Sequence, residues 1–236
     1  LLEWYEFEPD AEVLQVGADY GALTGLLRTS VKQVTVLDET ESALETVRQR
    51  YPGATNIHYC KDSLMGFAVE ACAEGKKYDY VIFAGTLAAP YEEHIRAAKS
   101  LLKPTGILIV AAANALGMKY FAGYNEDHLA KPFVGIEGYE NENRIRTFSY
   151  SEIRTLLNKC GYQKLAFAFP FPDYKLPQAI YDENALMKYE VDFSSRNNYD
   201  SDVLVCFDQL KAFKSLKGTE ELKYFANSFL IEAVRS

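Results

Sequence analysis

The stretch that decides the fold is Val13-Leu14-Gln15-Val16-Gly17-Ala18-Asp19-Tyr20-Gly21-Ala22-Leu23-Thr24. Its apolar, partly β-branched start predicts a strand, and the two glycines enclose a tight loop before an apolar helical pattern. Such a strand-loop-helix brings backbone N–H groups and the positive end of a helix dipole to the carboxyl edge of a strand, where a nucleotide-like ligand can bind. The stretch therefore predicts a cofactor-binding loop.

The spacing of the two glycines bears on which ligand this loop binds. A dinucleotide fingerprint, Gly-x-Gly-x-x-Gly/Ala, requires a glycine at the position of Asp19. A carboxylate there would also repel an anionic cofactor, so a nicotinamide-dependent oxidoreductase is the weakest alternative. We expect Asp19 either to face a positively charged part of the cofactor or to occupy a left-handed turn, which Asp tolerates.

The rest of the chain alternates strand and helix patterns. Further strands are predicted at residues 33–38, 55–59, 78–83, 107–110, 163–169 and 227–234. Helices are predicted at residues 21–29, 44–51, 91–102 and 149–160. This order implies parallel strands joined by right-handed crossovers. We predict an α/β, Rossmann-like fold with a mostly parallel seven-stranded sheet, helices on both faces and an insertion after strand five.

The domain organisation follows from where this alternation stops. Residues 111–147 lose sustained periodicity but are rich in aromatic, glycine and charged residues, which is typical of an ordered functional insertion. Residues 179–215 read as mostly helix and loop. We expect residues 1–236 to form a single domain, with residues 111–148 and 170–226 as elaborations on the side of the acceptor.

The composition is that of an ordinary globular protein, with 48% hydrophobic and 25% charged residues. A net charge of −8 argues against nucleic-acid binding as the main function. We expect no transmembrane segment, because no apolar run is long enough, and a cytoplasmic location, because no secretory signal is visible. The chain begins at Leu1 instead of Met, as a segment of a longer polypeptide would.

Carboxylates follow the second and third predicted strands. Asp38 and Asp62 are expected beside the Gly17 loop, because the carboxyl ends of parallel strands share one edge of the sheet. Asp38 could accept hydrogen bonds from both hydroxyls of a ribose, and Asp62 one from an adenine amino group. The predicted cofactor-binding residues are Gln15, Gly17, Ala18, Asp19, Tyr20, Gly21, Asp38, Glu39, Asp62, Ser63, Leu64, Ala84 and Gly85.

This arrangement resembles the class I S-adenosylmethionine-dependent methyltransferases across nearly the whole chain. Four further stretches, at residues 109–123, 126–128, 133–139 and 172–177, resemble a bacterial subfamily whose members occur as domains of, or beside, glycosyltransferases that build cell-surface polysaccharide. The resemblance implies S-adenosylmethionine as cofactor, O-methylation of a sugar or glycan acceptor, and a glycosyltransferase as partner or fused domain.

Three positions depart from the pattern of that family. Gln15 stands where an acid is usual, Asp19 where a middle glycine is usual, and Ala113 where we would expect a glutamate. A neutral Gln15 keeps a hydrogen-bond acceptor but loses the charge. These departures leave open a catalytically weak or inactive module that acts as an interaction partner of a glycosyltransferase.

Methyl transfer also needs a base, because the acceptor hydroxyl must lose its proton. Glu126-Asp127-His128 is the cluster in the insertion that offers one. A histidine with an ordinary pKa of about 6.5 accepts protons at neutral pH, and Asp127 or Glu126 could orient it. The alternative is that Asp127 and His128 pin the insertion through hydrogen bonds.

Residues for the acceptor are predicted in the same part of the chain. Asn114 could position the acceptor or the cofactor from the end of strand five, and Tyr120, Tyr139 and Tyr174 could line a sugar site. Core packing is the alternative for these aromatic side chains. His94 is expected on a helix surface. We predict a metal-free site, because no metal-ligand spacing is evident.

Overall fold

A computed structural model describes residues 1–139, 146–194 and 205–235. Its strands are β1 (Glu12–Val16), β2 (Gln33–Asp38), β3 (Ile57–Lys61), β4 (Tyr78–Ala84), β5 (Leu102–Ala113), β6 (Tyr162–Phe171), β7 (Ala179–Asp182) and β8 (Ser228–Arg235). Its helices are α1 (Ala22–Ser30), α2 (Glu41–Arg50), α3 (Leu64–Ala73), α4 (Tyr91–Leu101), α5 (Met118–Phe121), α6 (Tyr150–Lys159), α7 (Glu183–Lys188), α8 (Gln209–Ser215) and α9 (Glu221–Phe225).

The strands form one eight-stranded sheet in the order β3-β2-β1-β4-β5-β8-β6-β7. β1 pairs in parallel with β2 and β4, and β2 pairs in parallel with β3. The α/β, mostly parallel architecture is therefore confirmed. In this register Val16 lies opposite Leu37 and Phe83, so the carboxyl ends of β1, β2 and β4 are level with one another.

The predicted number of strands is wrong by one. β7 lies within the stretch expected to be helix and loop, and it pairs antiparallel with β6 at the edge of the sheet. Its four residues are too few to produce a clear alternating pattern. The strand exists because its backbone groups pair with β6, a contact that local sequence does not encode.

The central strands are buried because they are almost continuously apolar, as expected for a sheet covered on both faces. Val13 and Leu14 of β1, Val34 and Val36 of β2, and Val81 of β4 are each 0% exposed. This rigid layer holds the loops at the carboxyl ends of its strands in fixed positions.

The chain divides into two compact units. The first, here called the N-terminal unit, comprises Leu2–Val110, Cys160–Lys164 and Glu232–Ser236. The second, the C-terminal unit, comprises Ala111–Lys159 and Leu165–Ile231, together with Leu1. A single domain over residues 1–236 stays a prediction. In the described ranges no helix combines the length and apolarity needed to span a membrane.

Candidate functional site

The loop after β1 is held close to the neighbouring strands. The N–H of Gly17 donates to the carbonyl of Leu37 at 2.8 Å, and Gly17 has a φ of +91°. A Cβ at this position would overlap the side chain of Thr86, whose hydroxyl donates to the carbonyl of Val16 at 2.5 Å. Gly17 is thus required both by its backbone conformation and by the close approach of the segment after β4.

The side chain of Gln15 holds this loop through two hydrogen bonds. Its side chain is 2% exposed, its Nε2 donates to the carbonyl of Gly17 at 2.8 Å, and its Oε1 accepts from the hydroxyl of Thr24 at 2.8 Å. The amide therefore joins the end of β1 to the first turns of α1 and uses a donor that a carboxylate does not have. Gln15 stabilises the loop instead of lining a cavity.

Asp19 occupies the left-handed conformation expected as one of its two alternatives, and Tyr20 after it does so as well. Their φ values are +37° and +53°, in a short 3₁₀ turn over Asp19–Gly21. Both side chains are exposed, Tyr20 to 74%. The backbone of Asp19 thus agrees with the expected left-handed turn. A contact between its carboxylate and a positively charged part of a cofactor stays a prediction.

The carboxylate of Asp38 anchors the loop. Its Oδ2 accepts from the N–H of Ala18 at 2.9 Å, and its Oδ1 accepts from the N–H and the hydroxyl of Thr40 at 2.8 and 2.7 Å. Partial burial disfavours the charge, but these hydrogen bonds outweigh it, and the pKa of Asp38 lies below its usual value. A carboxylate has about four acceptor positions, so roughly one remains for a ligand.

Asp62 lies against the first turn of α3. Its Oδ1 accepts from the N–H of Ser63 at 2.7 Å, and the Ser63 hydroxyl caps the helix by accepting from the N–H of Gly66 at 3.1 Å. A Cβ on Gly66 would lie 2.6 and 2.9 Å from the two carboxylate oxygens of Asp62. Gly66, which the sequence did not single out, therefore makes room for this carboxylate.

These groups border a cavity of about 280 Å³ at the carboxyl ends of the strands. Five of the predicted cofactor residues line it, namely Gly17, Asp38, Glu39, Asp62 and Leu64. The other lining residues are Val16, Leu37, Phe83, Thr86, Ala88 and His94. Gln15, Ala18, Asp19, Tyr20, Gly21, Ser63, Ala84 and Gly85 are not among them. Val16, Leu37 and Phe83 lie at or near the carboxyl ends of their strands, so the reasoning that placed Asp38 at this edge also accounts for them. Nothing in the local sequence around Thr86 and His94 indicates that they line the cavity.

His94 departs from its expected place. It is half-buried on the wall of this cavity, and its Nδ1 lies 2.9 Å from the carbonyl of Ala88. A carbonyl only accepts hydrogen bonds, so Nδ1 is assigned as the donor in this contact. The cavity therefore combines three carboxylates, one imidazole and apolar walls.

In the C-terminal unit, Asp127 belongs to a buried ionic network. Its Oδ2 accepts from Lys119 Nζ and from the Tyr120 hydroxyl, each at 2.7 Å, and its Oδ1 accepts from Lys175 Nζ at 2.8 Å. The side chains of Lys119 and Asp127 are 4% and 6% exposed. Burial disfavours the charge of Asp127, but the two ammonium groups prevail and hold its pKa well below the usual value.

Glu126 forms a second buried network beside it. Its Oε2 accepts from the N–H groups of His128 and Leu129, both at 2.8 Å, and its Oε1 accepts from the hydroxyl of Tyr139 at 2.9 Å. Glu126 thus holds the backbone of His128, whose side chain is exposed. Neither acid hydrogen-bonds the imidazole, so the expected orientation of the His128 ring by Asp127 or Glu126 is not found.

The residues predicted for the acceptor are mostly buried. Asn114 is 0% exposed, and its Nδ2 donates to the carbonyls of Tyr224 and Ala226, both at 2.7 Å. Tyr120 and Tyr139 are 1% and 6% exposed, and their hydroxyls donate hydrogen bonds to Asp127 and Glu126, respectively. For the two tyrosines, the packing alternative describes the structure; a contact of Asn114 with the acceptor or the cofactor stays a prediction. Tyr174 is half-buried, and its contact with an acceptor stays a prediction.

Comparisons with known proteins bear on the fold. No protein-family model matches the chain, and no curated protein sequence does. A S-adenosylmethionine-dependent methyltransferase from Archaeoglobus fulgidus aligns with a TM-score of 0.56 and 12% identity, over 98% of this chain and 90% of that chain. One from Thermotoga maritima aligns with a TM-score of 0.55 and 15% identity, over 98% of this chain and 84% of that chain.

Two further similar structures are matched over only about half of their own length. The carbon methyltransferase CurJ aligns with a TM-score of 0.54 and 13% identity, over 100% of this chain but 51% of that chain. The N-methyltransferase NodS from Bradyrhizobium japonicum WM9 is matched over 45% of this chain and 55% of that chain, with a TM-score of 0.41 and 21% identity. The full-length alignments show that this chain has the Rossmann-like fold of S-adenosylmethionine-dependent methyltransferases.

Proposed function

We propose that this protein is a S-adenosylmethionine-dependent methyltransferase. The observation that supports it is the cavity at the carboxyl ends of β1, β2 and β4, the edge where open α/β sheets bind their ligands. The cavity is lined by residues that include Asp38, Glu39 and Asp62, and none of its lining residues in the described ranges is a lysine or an arginine. This charge suits a cationic ligand without phosphate groups and disfavours a dinucleotide.

The residues of the cavity fit an adenosyl cofactor. Asp38 keeps an acceptor position for a ribose hydroxyl, Asp62 can accept from an adenine amino group, and Leu64 and Leu37 offer apolar walls for the ring. When bound, the cofactor supplies an electrophilic methyl group on a sulfonium. The protein contributes orientation and a place for the proton that the acceptor loses.

For the acceptor, we propose a sugar hydroxyl in a glycan intermediate made in the cytoplasm, with a glycosyltransferase as partner or fused domain. The support is the resemblance of residues 109–123, 126–128, 133–139 and 172–177 to the glycosyltransferase-associated subfamily. In this proposal His128 is the base. Glu126 acts as a positioning residue through the backbone N–H of His128, and Asp127 stabilises the same segment.

Calorimetric titration with S-adenosylmethionine and S-adenosylhomocysteine tests the cofactor. We expect saturable binding of both, and about tenfold weaker binding by an Asp62→Asn variant, which cannot accept as strongly from an adenine amino group. NAD is the matched control ligand. Absence of heat and of a thermal shift with millimolar S-adenosylhomocysteine would refute the proposal, and tight NAD binding would replace it with the oxidoreductase.

A non-catalytic module beside a glycosyltransferase is the second candidate. It is favoured by the hydrogen bonds of Asp127 and Glu126, which go to lysine, tyrosine and backbone groups, so that neither carboxylate accepts a hydrogen bond from the His128 imidazole. Incubation with labelled S-adenosylmethionine and candidate glycan acceptors separates the two candidates. Transfer of label to any acceptor eliminates the inactive module.

A further inference from the structure

A second cavity in the N-terminal unit has the opposite charge from the first. It measures about 440 Å³ and is lined by Lys77, Arg96, Lys99, Ser100, Cys160 and Arg235. Four of these six residues are cationic and none is acidic, although the chain as a whole carries a net charge of −8. The cavity is therefore a local concentration of positive charge in an acidic protein.

The cations are held in place by backbone carbonyl groups. Lys77 Nζ donates to the carbonyl of Ser100, and Arg235 Nη1 donates to that of Leu102 at 3.5 Å. Lys99 Nζ donates to the carbonyls of Cys160 and Gly161 at 3.2 and 2.7 Å. An ammonium has three N–H donors and a guanidinium has five, so each of these groups keeps donors for a further partner.

Acids of the described residues neutralise the positive charge of the cavity only in part. Arg96 forms an ion pair with Glu92 at 2.8 Å. For Lys77, Lys99 and Arg235, no salt bridge is formed with any residue in the ranges 1–139, 146–194 and 205–235. The end of α4 near Ser100 contributes only about half a negative charge through its dipole. An anion would balance the remainder.

Gly161 lies directly against the ammonium of Lys99. Gly161 has a φ of +84°, and a Cβ at this position would overlap Lys99 Nζ. The turn between α6 and β6 thus carries a residue without a side chain at the point where the ammonium lies. The hydrogen bonds to Cys160 and Gly161 therefore hold the lysine at a point where a glycine leaves room for its ammonium.

The cavity is separate from the one proposed for the cofactor. Lys77 precedes β4, whereas Phe83 of the first cavity is near the end of that strand, which places the two about 20 Å apart along its backbone. Among the residues that the structure describes, the two cavities have no lining residue in common. Binding to one can therefore be measured without occupying the other.

We propose that this basic cavity binds a diphosphate group. Phosphate oxygens match the forked donors of arginine and the point charges of lysine, and two linked phosphates carry enough charge to compensate three unpaired cations. The Ser100 hydroxyl adds a neutral polar group to the wall. The volume admits a group larger than a single phosphate.

Titration of the whole chain with inorganic pyrophosphate, at constant ionic strength set with chloride, tests this proposal. We expect saturable heat and a saturable rise in Tm, with binding weakened about tenfold or more in Lys77→Gln and Arg235→Gln. Lys32→Gln, which removes a lysine 62% exposed and outside the cavity, should bind as the unmodified protein does. UDP is a second probe, titrated in the same way. It carries a diphosphate but lacks the adenine that the first cavity could accept, so its binding reports on the basic cavity and shows whether a nucleotide is bound as well as the free anion.

Ser100→Glu is a second variant that does not depend on losing a cation. A carboxylate at this exposed position would occupy the cavity, so we expect a higher Tm without any anion and no further rise with pyrophosphate. Equal pyrophosphate binding by all variants, or no saturable binding at millimolar concentration, would overturn the proposal. So would a lower Tm of Ser100→Glu with pyrophosphate binding retained.

Discussion

The acids of the two units have opposite relations to their surroundings. In the N-terminal unit, Asp38 and Asp62 line a cavity and accept hydrogen bonds mainly from backbone N–H groups. In the C-terminal unit, Asp127 and Glu126 are buried and accept from two lysines, two tyrosines and the backbone of their own segment. The first pair keeps capacity for a ligand, whereas the second holds its own unit together.

The comparison extends to what lowers the pKa values. Burial opposes ionisation of both Asp38 and Asp127, and in both cases other groups prevail. For Asp38 these are hydrogen bonds from Ala18 and Thr40, whereas for Asp127 they are the charges of Lys119 and Lys175. A carboxylate held by neutral donors can still attract a cationic ligand, while one neutralised by two cations no longer does.

Asp127→Asn should have the largest effect on stability, because it removes a carboxylate that stabilises the C-terminal unit. It leaves the buried Lys119 with Asp173, at 3.8 Å, as its remaining counter-charge, and we expect the free energy of unfolding to fall by about 3 kcal/mol. Denaturant unfolding monitored by circular dichroism measures it. Lys175→Met is the matched control, because that side chain is 48% exposed and its ion pair should contribute about 1 kcal/mol or less.

The stability of the same variant should depend on pH differently from that of the unmodified protein. Because the pKa of Asp127 is lowered on folding, its contribution is complete above the unfolded pKa of about 4 and is lost as the pH falls through the folded value. Asp127→Asn should therefore lose less stability than the unmodified protein when acidified. Parallel acid sensitivity of the two proteins would show that Asp127 does not carry this effect.

Gln15→Glu tests whether the loop needs an amide donor. The new carboxylate would face the carbonyl of Gly17 in a position 2% exposed, and we expect a loss of about 2–3 kcal/mol in the free energy of unfolding. Affinity for S-adenosylhomocysteine should fall as well, because the loop is no longer fixed. Gln163→Glu, at an exposed position of β6, is the control and should change little. Unchanged stability of Gln15→Glu would contradict the role assigned to the amide.

Gly66→Ala should separate ligand binding from stability. Alanine favours the helix by about 0.5–1 kcal/mol, but its Cβ displaces the carboxylate of Asp62. We expect stability to change by at most about 1 kcal/mol while affinity for S-adenosylhomocysteine falls about tenfold. Ala73→Gly, at the exposed end of the same helix, should leave that affinity unchanged. Full affinity in Gly66→Ala would mean that Asp62 does not contact the cofactor.

His128→Ala should have the smallest effect on stability, within about 0.5 kcal/mol, because its side chain is exposed. If His128 is the base, turnover falls about 100-fold while S-adenosylhomocysteine affinity is kept. His94→Ala, on the cavity wall, should instead weaken affinity, and His58→Ala, at an exposed position of β3, should change neither. A parallel loss of turnover and affinity in His128→Ala would indicate a structural role.

The sequence by itself determined the layered α/β fold and the edge where a ligand would bind. Gln33–Asp38 was predicted with its observed bounds, because a run of apolar residues ending in an acid is a local signal. The positions of Asp38 and Asp62 at one edge follow from the parallel direction of the predicted strands, and both line the cavity. Backbone periodicity is encoded within a few residues, which is why it can be read without a structure.

Only the tertiary structure decided which side chains are available. The edge strand β7, the approach of Thr86 to Gly17 and the pairing of Asp127 with Lys175, 48 residues away, all depend on contacts between distant parts of the chain. Sequence identifies Asp127 and Asp38 equally well as acids. Whether a carboxylate meets a ligand or a buried ammonium depends on how the chain packs, and it is this packing that distinguishes the two units.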